Sequence, residues 1–269
     1  MRAIVQHLLN TPEIELWPGG LLRARSNHDA RALSRARHVL RRKRDGCFLA
    51  ADLPEGLLPL VHRLRQEPGL EAALDALDGH PAHRRPGLER VAELSLDRLH
   101  EHLHALGLDD GYGERTGLPL VAEPDWLALA GFDRYRRPLW LHVDAARAWA
   151  HLGAAARRDG VVLEAISGYR SHHYQLAIFE RKRLRGQAVD EILTVNAAPG
   201  YSEHHSGLAL DIGAPGEPPA EESFEHTPAF AWLQANAGGY GFAMSYPRGN
   251  PHGIVYEPWH WCYRAGHLA

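Results

Sequence analysis

The sequence predicts an α+β chain. Helix-period and strand-period segments mix in the second half without a regular βαβ alternation. Hydrophobic residues make up 45% and charged residues 23% of the 269 positions, the balance of an ordinary folded protein rather than a disordered one. No internal repeat or low-complexity tract suggests a solenoid or fibre.

The first 117 residues read as a mostly helical region of unknown role. Asn27 or Asp29 is placed to cap a helix over Arg31–Arg44, closed by Asp45-Gly46. The arginines of that helix read as a solvated face, with cations favoured at its C-terminal end. Cys47–Ala50 is a strand candidate, and Leu57–Arg65 and Leu70–Leu77 suggest two short helices. The stretch Gly79–Gly87 is rich in chain breakers and reads as a linker. Leu88, Val91, Leu99, Leu103 and Leu106 fall near one stripe, which predicts a helix over Leu88–Leu106. Gly107–Gly117, with four glycines, predicts a loop.

From Leu118 to Ala269 the character changes. An Ala-rich helix is expected over Asp144–Arg158, a strand over Val161–Ile166 and a helix over His172–Arg185. Leu208–Ile212 reads as a strand and Thr227–Asn236 as a helix. Phe242–Tyr246, Ile254–Tyr256 and Trp259–Tyr263 read as further strands.

Composition narrows the function. Thirty Lys and Arg against 33 Asp and Glu give a net charge of -3, which offers no electrostatic case for a nucleic-acid partner. Two cysteines exclude a disulfide scaffold and a four-cysteine metal site. No segment has the length of a membrane span, and polar residues break the start at Asn10, Pro12 and Glu13. The expected location is therefore cytoplasmic, or periplasmic if a leader was removed. Nineteen histidines point toward a metal.

Two stretches compete for that metal. His100-Glu101-His102-Leu103-His104 satisfies H-E-x-x-H, in which histidines one turn apart bind zinc. Here the two histidines each follow a stripe leucine, at the edge of the apolar face, and no third ligand is evident. The other constellation has three blocks. They are Ser167-Gly168-Tyr169-Arg170-Ser171-His172-His173-Tyr174-Gln175, Gly200 to Ile212 with Ser202-Glu203-His204-His205-Ser206-Gly207-Leu208-Ala209-Leu210-Asp211, and Tyr256-Glu257-Pro258-Trp259-His260-Trp261.

In these blocks the chain resembles the VanY-like zinc D,D-carboxypeptidases and the related L,D-carboxypeptidases that trim peptidoglycan peptides. The resemblance runs from about Leu118 to the C-terminus. It implies a hedgehog/D,D-peptidase-type zinc domain, an antiparallel sheet flanked by helices. It also implies one Zn2+ per chain, held by His204, Asp211 and His260, with Glu257 as the catalytic base. Arg170 is implied as the group facing the oxyanion, and Gln175 and Ser202 as substrate-binding residues near the terminal carboxylate.

The residues are consistent with those roles. Two His and one Asp leave a catalytic zinc one open position. Alternation over Leu208–Ile212 turns Leu208, Leu210 and Ile212 to one face and Ala209 and Asp211 to the other. Gly207 permits a sharp approach of His204 to the same metal. Glu257 and His260 are three apart, opposite faces on a regular strand, so Pro258 is expected to mark a bulge or edge. His172, His173 and His205 receive no role, Trp259 and Trp261 read as core or cleft wall, and Cys262 as a small buried residue. The function implied is hydrolysis of the C-terminal peptide bond of a peptidoglycan stem peptide, releasing D-Ala, in precursor trimming or muropeptide recycling. An endopeptidase of the same fold and a non-catalytic zinc-containing binding module remain the alternatives.

Overall fold

The computed structural model describes residues 7–79, 91–109 and 111–264. The chain divides into two compact units: Met1–Ser95 with Pro124–Leu129, and Leu96–Glu123 with Ala130–Ala269.

The first unit is built on an antiparallel sheet. Its strands are β1 (His7–Asn10), β2 (Ile14–Pro18), β3 (His38–Arg42), β4 (Phe48–Leu53), β5 (Gly56–Pro59) and the start of β6 (Trp126–Phe132), in the order β5-β4-β3-β2-β1-β6. A buried row crosses it by register: Leu9 faces Leu16, Leu16 faces Leu40 and Leu40 faces Ala50. Helices α1 (Asn27–Leu33) and α2 (Leu70–Gly79) accompany the sheet.

This corrects the expectation of a mostly helical N-terminal region. The helix expected over Arg31–Arg44 stops at Leu33, capped at its start by Ser26, and His38–Arg42 is a strand. Its arginines find acids on neighbouring segments instead: Arg41 pairs with Glu15 and Arg42 with Glu67, each at 2.7 Å. Burial of Val39 and Leu40 between two strands outweighs the local helix preference. Likewise Leu57–Arg65 is not a helix. Pro54-Glu55-Gly56 turns the chain back, so that Leu53 faces Gly56 and Ala51 faces Leu58. The stripe over Leu88–Leu106 yields only α3 (Leu99–Ala105). Positions 80–90, which hold most of the expected linker and the start of that stripe, lie outside the described residues.

The second unit holds α3, α4 (Tyr112–Thr116), the end of β6, β7 (Pro138–Leu141), α5 (Val143–Arg158), β8 (Glu164–Ser167), α6 (His172–Arg183), α7 (Val189–Leu193), β9 (Ala209–Gly213), α8 (Pro228–Asn236), β10 (Phe242–Met244) and β11 (His260–Tyr263). Its own antiparallel sheet runs β10-β11-β9-β8. Leu210, Ile212 and Trp261 join Leu152 of α5 and Phe230 and Leu233 of α8 in one core. Sequence alternation then turns Ala209 and Asp211 to the opposite face.

The expected boundary at Leu118 moves upstream to Leu96. Leu99, Leu103 and Tyr112 share a core with Ala198, Tyr201, Tyr246 and Ile254, so these helices belong to the second unit. The expected loop Gly107–Gly117 contains α4, and Ile254–Tyr256 is irregular rather than a strand. Among the described residues no helix is long and apolar enough to cross a membrane.

Candidate metal centre

Strand pairing creates the first half of the site. β9 and β11 run antiparallel with Asp211 directly opposite His260, so the two side chains rise from one face. His260 Nδ1 lies 3.2 Å from Asp211 Oδ1. His204 arrives from the 3-10 turn Glu203–Ser206, which Gly207 ends at φ 70°, a left-handed conformation natural to glycine. His204 Nε2 stands 3.3 Å from Asp211 Oδ1. One candidate ligand atom from each residue falls within 4.8 Å of the others, and all three residues are buried.

Hydrogen bonds behind the ligands decide which nitrogens face inward. His204 Nδ1 donates to the Gly168 carbonyl at 2.7 Å, which leaves Nε2 as a bare lone pair. That nitrogen is buried and hydrogen-bonds nothing. Its neighbour Asp211 also only accepts, so a cation between them would answer both lone pairs. His260 Nε2 donates to Glu203 Oε2 at 2.9 Å, which turns Nδ1 toward Asp211. Glu203 is held in turn by Arg264. Gly168 is required where it is: an added Cβ would stand 2.9 Å from the Trp140 carbonyl and from Leu139 and Leu141.

Electrostatics fit the same reading. Burial, aided by the Arg170 charge, pushes His204 down to about 4, so it is neutral and able to ligate. Burial would raise Asp211, but His204, His260 and Arg170 hold it well below the usual carboxylate range. Burial would likewise lower His260, yet hydrogen bonds to Asp211 and Glu203 and their charges lift it to about 10. A divalent cation held by His204, Asp211 and His260 would take the place of the proton that His260 otherwise carries. Two imidazoles and a carboxylate are a donor set suited to zinc.

Around the ligands lies a pocket lined by Arg170, Gln175, Ser202 and Glu257. Glu257 Oε2 is 3.9 Å from His260 Nδ1. A turn, not a strand bulge, brings it there: His260 N donates to Glu257 O across Pro258-Trp259. Burial raises the Glu257 carboxyl to about 7, the range of a working proton acceptor. Arg170 Nη2 is 3.9 Å from Asp211 Oδ2, while its Nε is buried without an acceptor. Gln175 Nε2 donates to the Ala197 carbonyl at 2.8 Å, and its Oε1 is left without a partner.

All seven residues singled out by the three blocks therefore lie at one pocket. His205, unassigned from the sequence, is fully buried and ties the site loops together: Nδ1 donates to the Arg170 carbonyl and Nε2 accepts from Gly200 N. His172 is also buried, and its ring meets the Val121 carbonyl. Trp261 is core, Trp259 lines the pocket, and burial raises the Cys262 thiol. The competing pair His100 and His104 lies exposed on α3, outside any group of metal-ligating side chains among the described residues. Sequence reasoning missed Glu203, Lys182 and Asn196. Glu203 stands inside the second block, but no spacing announces that it reaches His260. Lys182 and Asn196 line the same pocket from outside the blocks.

Comparison with known proteins bears on the same stretch. The VanY family profile, D-alanyl-D-alanine carboxypeptidase, matches residues 138–266. YodJ of Bacillus subtilis (strain 168) is 36% identical over 156 residues, 55% of this chain and 56% of that protein. The chain thus spans little more than half of YodJ. VanXYC of Enterococcus gallinarum, a bifunctional D-Ala-D-Ala dipeptidase and D-Ala-D-Ala carboxypeptidase, is 30% identical over 52% of this chain and 75% of its own. A vancomycin-resistance D,D-pentapeptidase VanY, solved in complex with Zn(II), is 31% identical over 46% of this chain and 73% of its own, with a TM-score of 0.40. The matched stretch carries His204, Asp211, His260, Arg170 and Glu257, and three quarters of VanXYC is covered. On these grounds the chain belongs to the VanY family of D-alanyl-D-alanine carboxypeptidases.

Proposed function

We propose that the chain is a zinc carboxypeptidase that hydrolyses the C-terminal peptide bond of a peptidoglycan stem peptide and releases D-alanine. The observation that carries this is the convergence of His204, Asp211, His260 and Glu257 on one pocket, with lone pairs turned inward by Gly168 and Glu203. When bound, zinc supplies Lewis acidity toward the scissile carbonyl and a neighbouring water. Glu257 takes a proton from that water as its oxygen adds to the carbonyl carbon, and returns it to the amine nitrogen as the C–N bond breaks. The Arg170 guanidinium, which lines the pocket, donates toward the oxygen that gains negative charge. Gln175 and Ser202 hold the end of the substrate.

The test is mass spectrometry of purified tetra- and pentapeptide muropeptides after incubation with the zinc-loaded protein. Loss of one terminal D-alanine is the expected result, and the peptide chosen separates D,D from L,D specificity. Cleavage within a cross-link and not at an end would identify an endopeptidase instead. No cleavage of any muropeptide by protein with full zinc would leave a binding module.

A further inference from the structure

The pocket continues past the metal ligands along α6. Besides Gln175, its lining includes the apolar Val195, Ala197, Ile254 and Val255, together with Lys182 and Asn196. Gln175 and Lys182 are seven residues apart, about two helical turns, and so share a face of α6. Helical side chains lean toward the helix N-terminus, which draws the Lys182 ammonium back toward the reaction centre. Its Nζ donates to Asn196 Oδ1 at 2.6 Å.

Among the described residues Lys182 makes no ion pair, so two of its three N–H donors lack a protein acceptor. Burial lowers its pKa, and the charges of Glu257 and Arg170 act on it, which locates the ammonium in the same field as the base. Apart from the histidines, the other cationic side chain of the pocket lining is Arg170. The Gln175 amide N–H is already committed to the Ala197 carbonyl. Arg170 already faces Asp211. A pocket that combines apolar side chains with an ammonium suits a residue with a small apolar side chain and a free carboxylate.

We propose that Lys182, positioned by Asn196, is the cation that receives the terminal carboxylate of the substrate. This rests on the carboxypeptidase reading above and adds to it the group that distinguishes a chain end from a chain interior. A charge-assisted hydrogen bond fixes the preference for a free acid over its amide at roughly 10–100-fold, with the lower end expected for a half-exposed ammonium.

The experiment measures kcat/KM on matched D-alanine-terminated peptides with free and amidated ends. It uses zinc-loaded wild type, Lys182→Met and Lys182→Arg, with zinc content and circular dichroism recorded on the same samples. The expected result is a free-to-amide ratio of roughly ten or more in wild type. In Lys182→Met that ratio falls about tenfold, mainly through KM, and in Lys182→Arg it is largely restored. If Lys182→Met does not fold, Lys182→Gln is read in the same way. A wild-type ratio retained in the uncharged variant overturns the proposal and leaves the carboxypeptidase reading in place. An equal loss on both peptides also overturns it, since Lys182 would then serve something other than the carboxylate. A wild-type ratio near one overturns both.

Discussion

Replacing Glu203 by Ala removes the carboxylate that accepts from His260 Nε2–H, a bond of 2.9 Å to an imidazole that is 3% exposed. The ring loses the partner that turns Nδ1 toward Asp211, and Arg264 loses its acid. A charge-assisted hydrogen bond of this kind contributes about 1.5–3 kcal/mol. At roughly 1.4 kcal/mol per tenfold, zinc binding should weaken about 10–100-fold, the range known for partners behind metal-ligating histidines. An opposing effect has a definite sign. Glu203 helps lift His260 to about 10, so wild type must expel a proton to take up zinc. Without Glu203 that proton is held less tightly, which favours the variant at low pH. The measured loss should therefore grow as pH rises and His260 in wild type approaches neutrality. Chelator competition across a pH series, on variants checked by circular dichroism, reads both parts. Glu203→Gln retains an acceptor and should lose less. Wild-type zinc affinity in Glu203→Ala at the alkaline end of the series would refute the reasoning.

Three further outcomes are expected. Glu257→Gln should retain zinc and fold and lose turnover by at least ~10², and wild-type turnover should fall as pH drops through the Glu257 pKa, which burial, the largest of several effects, raises to about 7 and a bound cation pulls lower. Metal analysis after dialysis should find His204→Ala stripped of zinc, while His100→Ala and His104→Ala remain loaded, because the latter pair is exposed on α3. Leu103→Ala should lower unfolding free energy by roughly 2–5 kcal/mol in denaturant titrations, since Leu103 is 4% exposed in the core that carries Tyr201 and Tyr246; a surface-like loss below ~0.5 kcal/mol would remove α3 from that core.

The chemistry-bearing residues were legible because their signals are local. Alternation over Leu208–Ile212 puts Asp211 on the face away from the core, Gly207 marks the left-handed turn that presents His204, and Pro258 marks irregular backbone between Glu257 and His260. The kind of irregularity at Pro258 was not legible, because a bulge and a turn share the same breaker. The helices Val143–Arg158 and His172–Arg183 came through within two residues for the same reason: their periodicity and stop signals lie within the segments themselves.

The first unit went the other way. His38-Val39-Leu40-Arg41-Arg42 is helix-compatible by composition and becomes a strand only because Leu16 and Ala50 stand on either side and Glu15 and Glu67 answer its arginines. Such pairings join residues 10 to 26 positions apart, beyond any local pattern. The same physics hid Glu203, Lys182 and Asn196, whose neighbours are set by strand register and helix packing. It also separated two histidine motifs that look alike on paper. The sequence alone determined which residues can ligate a metal; only the fold decided that His204, Asp211 and His260 share one buried point while His100 and His104 face outward, because burial and long-range pairing belong to the tertiary structure.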